Sequence, residues 1–329
     1  MRIIIYGMGA VGGVVAAALA RSGQSVIGIA RGAMAQAVAA RGLRLRAPGL
    51  DAWVPVPVVC HPSEIDWRDD DLILLCMKSQ DTQAALEDLR SAGVTRQALF
   101  CAQNGVANES AALRLFPNVH GVTVMMPALY LVPGEVAVFT EPKFGIFDLG
   151  RYPGGVDADD RRMATALEAA MIATNLLPDV MASKRGKLLL NLGNILKAAL
   201  GHQAETGTLG QRVRAEAEAV FRAAGLDWQP PEETDAQRDA LMRPVDSLPG
   251  VARVGGSTNQ SLLRGAIRLE TDYLNGEIAL LGRLHGLDTP LNAGLCRVAA
   301  HLAVKRLRPG DMTLPEVEAM LAMDQTEPI

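Results

Sequence analysis

The sequence has few of the residues that build metal sites and disulfide frameworks. Its 329 residues include only five histidines and four cysteines. The histidines form no H-x-x-x-H pair, and no C-x-x-C spacing occurs among the cysteines, which are Cys60, Cys76, Cys101 and Cys296. We therefore expect no zinc or other metal site, no disulfide framework, and a reducing, cytoplasmic compartment.

Long apolar runs and a strong excess of one charge are also missing. No stretch of about 18 apolar residues runs without interruption, so we expect no transmembrane helix. The net charge of −4, from 32 basic and 36 acidic side chains, argues against nucleic acid or an anionic membrane as the main partner. The composition, with 49% apolar and 21% charged residues, predicts a folded, soluble chain.

The N-terminal segment allows two interpretations. Its apolar residues followed by Ala18-Leu19-Ala20 resemble a short secretory signal with a cleavage site. However, glycines interrupt the apolar part, and another strand-like stretch follows directly. We therefore interpret this segment as the first strand and helix of the fold.

The chain is long enough to predict two domains, because one hydrophobic core rarely organises this many residues. Short apolar strands alternate with helical stretches in the first half, which is typical of a parallel sheet buried on both faces. The predicted strands are 2–6, 25–29, 72–77 and 98–103, and residues 119–126 and 136–147 add two or three more. Residues 42–59 predict edge strands or a hairpin, because prolines interrupt them.

Helical periodicity dominates from about Asp157 onward, with one further short strand expected at 176–181. The predicted domains are therefore residues 1–180 and 181–329. Residues 229–250 are rich in proline and charge, which favours a loop or lid.

A glycine motif lies between the first strand and the first helix. Residues 7–12 read G-M-G-A-V-G, which is G-x-G-x-x-G in the order strand, turn, helix. In this motif the glycines allow a tight turn, close approach of main chain to a pyrophosphate, and close helix packing. We expect Gly7, Met8, Gly9, Ala10, Val11 and Gly12 to bind a dinucleotide in a Rossmann-type N-terminal domain, followed by an all-helical C-terminal domain. The alternative is a glycine turn needed only for packing.

The end of the second strand distinguishes between the two nicotinamide nucleotides. NAD sites usually place Asp or Glu there to bind the ribose 2′-hydroxyl, but residues 25–48 contain no carboxylate. Arg31 instead suits the 2′-phosphate of NADPH. The alternative is a solvated surface arginine.

Lysine is scarce, yet three of the six lysines lie between residues 184 and 197. This stretch is apolar around most of its circumference, which predicts one buried helix from 184 to 200. Lys187, Asn191 and Asn194 fall on one stripe of that helix, where buried polar groups require polar partners. Lys187 is a candidate general acid for a carbonyl substrate. The alternative is a lysine that reaches solvent and asparagines that bridge helices.

A second polar cluster comprises residues 255–261 and 268–277. Ser257 suits the N-cap of a helix. Ser257 and Glu270 converge only if the chain breaks between them, and Gly265 is the expected break. Glu270 and Glu277 are predicted to share a helical face. The alternative to a functional role is that both belong to a solvated acidic stripe.

Taken in order, these motifs resemble the ketopantoate reductases (2-dehydropantoate 2-reductases) over nearly the whole chain. The resemblance rests on the glycine motif with I-A-R-G after the second strand, and on five further motifs. These are M-K-S-Q-D-T from Met77, Q-N-G from Gln103, K-L-L-L-N from Lys187, S-T-N-Q from Ser257 and E-T-D-Y-L-N-G-E from Glu270.

The resemblance implies NADPH-dependent reduction of ketopantoate to pantoate in pantothenate and coenzyme A biosynthesis. It implies that Lys187 is the catalytic lysine and that Glu270 assists it. It further implies that Asn104, Asn191 and Ser257 orient substrate and nicotinamide, and that Lys78 lies near the cofactor and substrate.

Three features depart from the family pattern. The family usually has a second asparagine eight residues after the catalytic lysine, where this chain has Ile195, with Asn194 one residue earlier. Arg185 replaces a common tryptophan, and the spacing from Gln260 to Glu270 is longer by one. We expect Asn194 to take over the role.

Alternatives to this function remain open at the level of the sequence. One is a same-fold NADP-dependent hydroxyacid dehydrogenase that acts on another small 2-oxo acid. Another is an NADPH-binding sensor without turnover. The apolar excess of the helical half also favours a homodimer.

Overall fold

The computed structural model describes residues 1–229 and 236–322. Within these residues the chain forms two compact units. The first comprises residues 1–103, 108–183 and 236–253, and the second comprises 104–107, 184–229 and 254–322. The boundary between Ser183 and Lys184 lies three residues after the predicted boundary at residue 180. Residues 104–107 belong to the second unit and residues 236–253 to the first, so each unit is built from separate segments of the chain.

The strands all belong to the first unit. In chain order they are β1 (Ile3–Tyr6), β2 (Val26–Ile29), β3 (Leu43–Ala47), β4 (Leu50–Val54), β5 (Val58–Val59), β6 (Leu72–Leu75), β7 (Ala98–Cys101), β8 (Val119–Met125), β9 (Ala128–Val132), β10 (Glu135–Val138), β11 (Thr140–Pro142), β12 (Gly145–Arg151), β13 (Ile172–Leu176) and β14 (Met242–Pro244).

The helices occur in both units. In chain order they are α1 (Ala10–Arg21), α2 (Gly32–Arg41), α3 (Thr82–Ser91), α4 (Asn108–Leu113), α5 (Ala158–Ala169), α6 (Val180–Asn191), α7 (Asn194–Leu200), α8 (Gly207–Ala223), α9 (Ala236–Leu241), α10 (Ser257–Leu263), α11 (Asn275–Leu284), α12 (Pro290–Val304) and α13 (Leu314–Ala322). Among the residues described, no helix is both long and apolar enough to cross a membrane.

An eight-stranded sheet forms the centre of the first unit, in the order β13-β12-β8-β7-β6-β1-β2-β5. Its central strands are parallel and almost entirely buried, as their continuous apolar sequences predict. Tyr6 pairs with both Ile29 and Leu75, so β1, β2 and β6 end at the same level. The turns that follow these three strands therefore emerge at one edge of the sheet.

A second sheet, in the order β4-β3-β10-β9, covers α1. β3 and β4 form the predicted hairpin around the Pro48-Gly49 turn. β3 is not an edge strand, because it also pairs with β10. A Cβ on Gly13 of α1 would lie 2.7 Å from Cγ1 of Val136, so the helix packs tightly on this sheet.

Three segments differ from the predicted secondary structure. The strand expected at 176–181 is β13, which ends at Leu176, and Met181 lies in α6. Strand β9 has no counterpart among the predicted strands. Residues 230–235 of the expected loop lie outside the described residues, but its remainder includes α9 and β14, and β14 pairs with β11.

The second unit is helical throughout its described residues, as predicted. Its core is a separate apolar cluster that draws on most of its helices. The fully buried members include Leu188, Leu196, Phe221, Ile278 and Leu295. Each unit thus has its own core.

Candidate active site

The glycine motif forms the turn between β1 and α1. The surroundings of its three glycines, Gly7, Gly9 and Gly12, differ in the space that they leave for a Cβ atom. Gly7 has φ +100°, and a Cβ there would lie 2.6 Å from the main-chain nitrogen of Met77. A Cβ on Gly12 would lie 2.1 Å from the carbonyl oxygen of Gly7. A Cβ on Gly9 would meet nothing within 4 Å. Packing therefore explains Gly7 and Gly12, whereas Gly9 lies next to open space.

The residues between the glycines contribute main chain to this turn. Met8 is 3% exposed, and its Sδ lies 2.6 Å from the position of a Cβ on Gly28, so its side chain belongs to the core. Val11 also packs against that core. Gly9 is the N-cap of α1 and has no side-chain cap, so the first amides of the helix face the turn. These amides are suited to a phosphate group.

The end of β2 presents Arg31 to solvent. Ile29 and Ala30 are buried, and Arg31 is the exposed N-cap of α2. A carboxylate does approach the ends of these strands, but from α3: the hydroxyl of Tyr6 donates to Oδ2 of Asp88 at 3.0 Å. Sequence reasoning missed Asp88, because fifty-six residues lie between Arg31 and Asp88 and no local pattern links them.

A buried polar network lies beneath the turns that follow β6 and β7. Oγ1 of Thr82 donates to Oδ1 of Asn108 at 2.7 Å, and Nδ2 of Asn108 donates to Oγ of Ser79 at 3.1 Å. Nε2 of Gln103 donates to Oγ1 of Thr82 at 3.2 Å. Lys78 lies at the start of the first of these turns, so the network fixes the main chain that carries it. Asn104, which follows Gln103, belongs to the second unit.

Helix α6 carries both Lys187 and Asn191. Lys187 is half-buried, and Asn191, one turn later, is 5% exposed. The Nδ2 atom of Asn191 is buried without a hydrogen-bond partner among the described residues. A buried amide donor of this kind is unusual in a native structure, because its desolvation is uncompensated.

The single helix predicted for residues 184–200 is wrong, because the structure breaks it after Asn191. Helix α7 begins at Asn194, with Gly193 as its N-cap. The buried side chain of Asn275 donates through Nδ2 to the carbonyl of Leu192 at 3.2 Å, which stabilises the break. Asn194 therefore does not continue the helical stripe of Lys187.

The break directs Asn194 toward Ser257. Oδ1 of Asn194 lies 3.9 Å from the position of a Cβ on Gly256, the residue before Ser257. Ser257 is not the N-cap that the sequence predicts, because Gly256 is the N-cap and α10 begins at Ser257. The structure thus brings Asn194 close to the segment that carries Ser257.

The predicted break between Ser257 and Glu270 is confirmed. α10 ends at Leu263, and Gly265 has φ +73°. The prediction that Glu270 and Glu277 share a helical face is wrong. Glu270 begins a 3-10 turn, Glu270–Tyr273, whereas Glu277 lies in α11. Glu270 is only 6% exposed, so it is not part of a solvated stripe.

In the described part of the chain, one group of residues has atoms close enough together to bind a metal: His120, Asp157 and Asp159 offer ligand atoms within 4.8 Å of one another. His120 is fully buried, and its ring nitrogens lie 2.7 Å from Oδ1 of Asp160 and 3.0 Å from Oδ1 of Asn118. The neighbouring protein groups therefore already occupy the ring nitrogens.

Comparison with protein families matches both parts of the chain. Residues 3–153 match the family described as "Ketopantoate reductase PanE/ApbA", and residues 179–303 match the C-terminal part of the same family. The chain belongs to the ketopantoate reductase family. Its resemblance to this family is therefore confirmed, as is the expectation of an oxidoreductase of the 2-dehydropantoate 2-reductase type.

Relatives named 2-dehydropantoate 2-reductase match almost the full chain. It is 27% identical to the 2-dehydropantoate 2-reductase of Pyrococcus horikoshii, over 89% of this chain and 94% of that protein. It is 26% identical to the 2-dehydropantoate 2-reductase of Mesorhizobium japonicum, over 93% of this chain and 99% of that protein.

Solved structures share the fold. The ketopantoate reductase of the PanE/ApbA family from Ralstonia eutropha has a TM-score of 0.76 and 29% identity, covering 93% of this chain and 99% of that one. D-mandelate dehydrogenase with NADH and anilino(oxo)acetate also has a TM-score of 0.76, with 24% identity and the same coverage. At that identity the second likeness concerns the fold alone. The ketopantoate reductase fold is therefore found with more than one substrate.

Proposed function

We propose that this protein reduces a small 2-oxo acid, 2-dehydropantoate (ketopantoate), to pantoate, with NADPH as the reductant. The observation that carries this proposal is the buried Nδ2 of Asn191, which lies one helical turn after Lys187. A polar ligand oxygen would accept from this donor and remove its desolvation penalty. A 2-oxo acid supplies such oxygens in its carbonyl and carboxylate groups.

The glycine turn fits the pyrophosphate of a dinucleotide. The open space at Gly9 and the uncapped amides of α1 are the features that such a group requires. Gly7, Met8, Ala10 and Val11 would contribute main chain. Arg31 would bind the 2′-phosphate, which is the basis for preferring NADPH to NADH.

The remaining roles are assigned from chemistry and from the positions that the family uses. When bound, the nicotinamide supplies a hydride to the carbonyl carbon of the substrate. Lys187 holds a proton on Nζ and delivers it to the substrate oxygen as negative charge develops there. Glu270, a buried carboxylate, positions Lys187.

The other polar residues bind and orient. Asn191, Asn194 and Ser257 hold the polar groups of the substrate, and Asn104 orients both substrate and nicotinamide. Lys78 lies at the start of a turn that the buried side chain of Asn108 holds in place through its hydrogen bond to Ser79. It provides positive charge near the cofactor.

The test is the loss of NADPH absorbance with purified protein, with ketopantoate and a panel of other 2-oxo acids as substrates. We expect the highest kcat/KM with ketopantoate, because specificity is a ratio of kcat/KM values. Binding of NADPH without turnover of any 2-oxo acid would contradict the proposal and favour a sensor.

A second candidate is a hydroxyacid dehydrogenase of the same fold that acts on a different 2-oxo acid. The position where the family has its second asparagine is Ile195, which is 1% exposed and part of the core. The break before Asn194 thus changes the polar groups available to a substrate. A kcat/KM that is higher for another 2-oxo acid than for ketopantoate would support this candidate.

We also infer that the chain forms a homodimer. Leu280 and Leu284 lie one turn apart on α11 and are 47% and 68% exposed, which leaves apolar surface on the helical unit. Sedimentation equilibrium tests this inference. A mass of about one chain at all concentrations would contradict it.

A further inference from the structure

We propose that Asp88 and His61 control the choice between NADPH and NADH, with Asp88 opposing the 2′-phosphate and a proton on His61 relieving that opposition. This inference rests on the proposed function, because it concerns residues around the site assigned to the 2′-phosphate. Neither residue belongs to any motif that led to the proposed function.

The sheet register brings His61 next to Arg31. Strands β2 and β5 are parallel, with Ile29 paired to Val59, and the amide of Ala30 donates to the carbonyl of Val59 at 3.0 Å. Two residues beyond this pair, the chains reach Arg31 and His61. Both side chains therefore lie at the carboxyl ends of neighbouring strands.

Asp88 spans the same edge from α3. Its Oδ2 accepts from the hydroxyl of Tyr6, at the end of β1, and its Oδ1 lies 3.5 Å from Nε2 of His61, beyond the end of β5. Because β2 lies between β1 and β5 in the sheet, the carboxylate of Asp88 lies over the end of β2. Arg31 lies at that same end.

Tyr6 provides an independent indication of how close these groups are. Burial, and then the hydrogen bond to Asp88, raise the pKa of the Tyr6 hydroxyl, whereas the positive charge of Arg31 lowers this pKa. Arg31 and Asp88 therefore both act electrostatically on the same hydroxyl. Tyr6 remains a neutral donor that fixes the carboxylate.

The charge of Asp88 distinguishes between the two cofactors. The 2′-phosphate of NADPH carries more than one negative charge near neutral pH, whereas NADH has an uncharged hydroxyl at this position. A nearby carboxylate repels the phosphate and leaves the hydroxyl unaffected. The side chains of Asp88 and His61 are 40% and 46% exposed, so solvent screens this effect and we expect it to be moderate.

His61 can offset the charge of Asp88. Its Nδ1 accepts from the amide of Ser63 at 3.2 Å and lies 2.8 Å from Oγ of the same residue, so the neutral ring has its proton on Nε2, which faces Asp88. A second proton would place a positive charge opposite Asp88. Glu64 also faces this turn, and its Oε1 accepts from the amides of Cys60 and His61 at 2.9 and 2.8 Å.

The experiment measures the dissociation constants of NADPH and NADH by calorimetry at about pH 6 and about pH 8, so that a pH-dependent contribution of His61 is seen as a difference between the two. The variants are Asp88→Asn, which keeps an acceptor for Tyr6, and His61→Asn, which keeps an acceptor for the amide of Ser63. Glu87→Gln is the matched control: it removes one charge from the adjacent residue of α3, which contacts Arg90 and Gln83 instead.

We expect Asp88→Asn to tighten NADPH binding at about pH 8 by about twofold to fivefold, with NADH and the control variant unchanged. We expect His61→Asn to bind NADPH less tightly than the wild type at about pH 6 and equally at about pH 8. The 2′-phosphate of free NADPH titrates in the same range, but this contribution is the same in every titration because the free cofactor is the same.

Two results would overturn the inference. Weaker NADH binding in Asp88→Asn would mean that the carboxylate accepts from the ribose instead. Unchanged NADPH binding in both variants would mean that neither residue acts on the phosphate. Failure of the proposed function is distinguishable, because the wild-type protein would then bind no NADPH or turn over no 2-oxo acid.

Discussion

The side-chain amide of Asn275 donates to the carbonyl of Leu192 at 3.2 Å, at the point where the helix of Lys187 ends. The same amide donates to Oδ1 of Asn292, which is itself fully buried. A carbonyl released by a helix break would otherwise be buried without a partner. This contact therefore stabilises the break that separates Asn191 from Asn194.

Replacing Asn275 with alanine tests this role of the side chain. We expect the free energy of unfolding to fall by about 2 kcal/mol, because the Leu192 carbonyl loses a buried partner. Asn175→Ala is the control, because the side chain of Asn175 forms only an exposed bond to Asp148. Denaturant unfolding provides the measurement, and equal midpoints for the two variants would contradict the role.

Replacing Lys187 with alanine separates catalysis from cofactor binding. We expect kcat to fall by about 100- to 10,000-fold, the range for loss of a general acid, while the dissociation constant of NADPH is unchanged. Lys197→Ala is the control, because Lys197 lies exposed on α7. Near-normal turnover by Lys187→Ala would show that another group delivers the proton.

Replacing Arg31 with alanine tests the choice of cofactor. We expect NADPH binding to weaken by about 10- to 100-fold, as for loss of charge-assisted hydrogen bonds, with little change for NADH. The control is Arg21→Ala, at the opposite end of α1 from the glycine turn. An equal loss for both cofactors would remove the argument that Arg31 binds the 2′-phosphate.

Two alanine substitutions in the glycine turn should have different effects. Gly9→Ala should lower the stability less than Gly12→Ala, because a Cβ there meets no protein atom, yet weaken NADPH binding by at least about tenfold. Gly12→Ala should lower the free energy of unfolding by about 1–3 kcal/mol, because its Cβ overlaps the carbonyl of Gly7. Thermal unfolding and calorimetric titration of both variants provide the measurements. Unchanged NADPH binding in Gly9→Ala would mean that the open space is not the pyrophosphate site.

The sequence was sufficient to predict features that depend on local patterns. The apolar residues of β1 and the glycines after it predict strand, turn and helix, because these signals act within a few residues. The break at Gly193 was not predictable in this way. Its neighbours continue a helical apolar pattern, and the residue that stabilises the break, Asn275, is distant in the sequence.

The same limit explains the errors in the candidate site. Glu270 has the spacing of a helical residue relative to Glu277, but Leu274 has φ −115° and ψ −86°, which interrupts the helix. Asp88 meets Tyr6 and His61 only because α3 packs on the sheet through Leu86 and Leu89. Periodicity therefore predicts which elements form, but not which side chains meet between elements.

The interleaving of the two units has a consequence for how such a protein can diversify. The chain passes from one unit to the other five times, and β14 returns to the first unit to pair with β11. A single crossover between two related genes near residue 183 would combine a β11 from one parent with a β14 from the other. The glycine turn and the lysine helix are therefore expected to be inherited together, with new substrate preferences arising through point substitutions instead of exchange of whole domains.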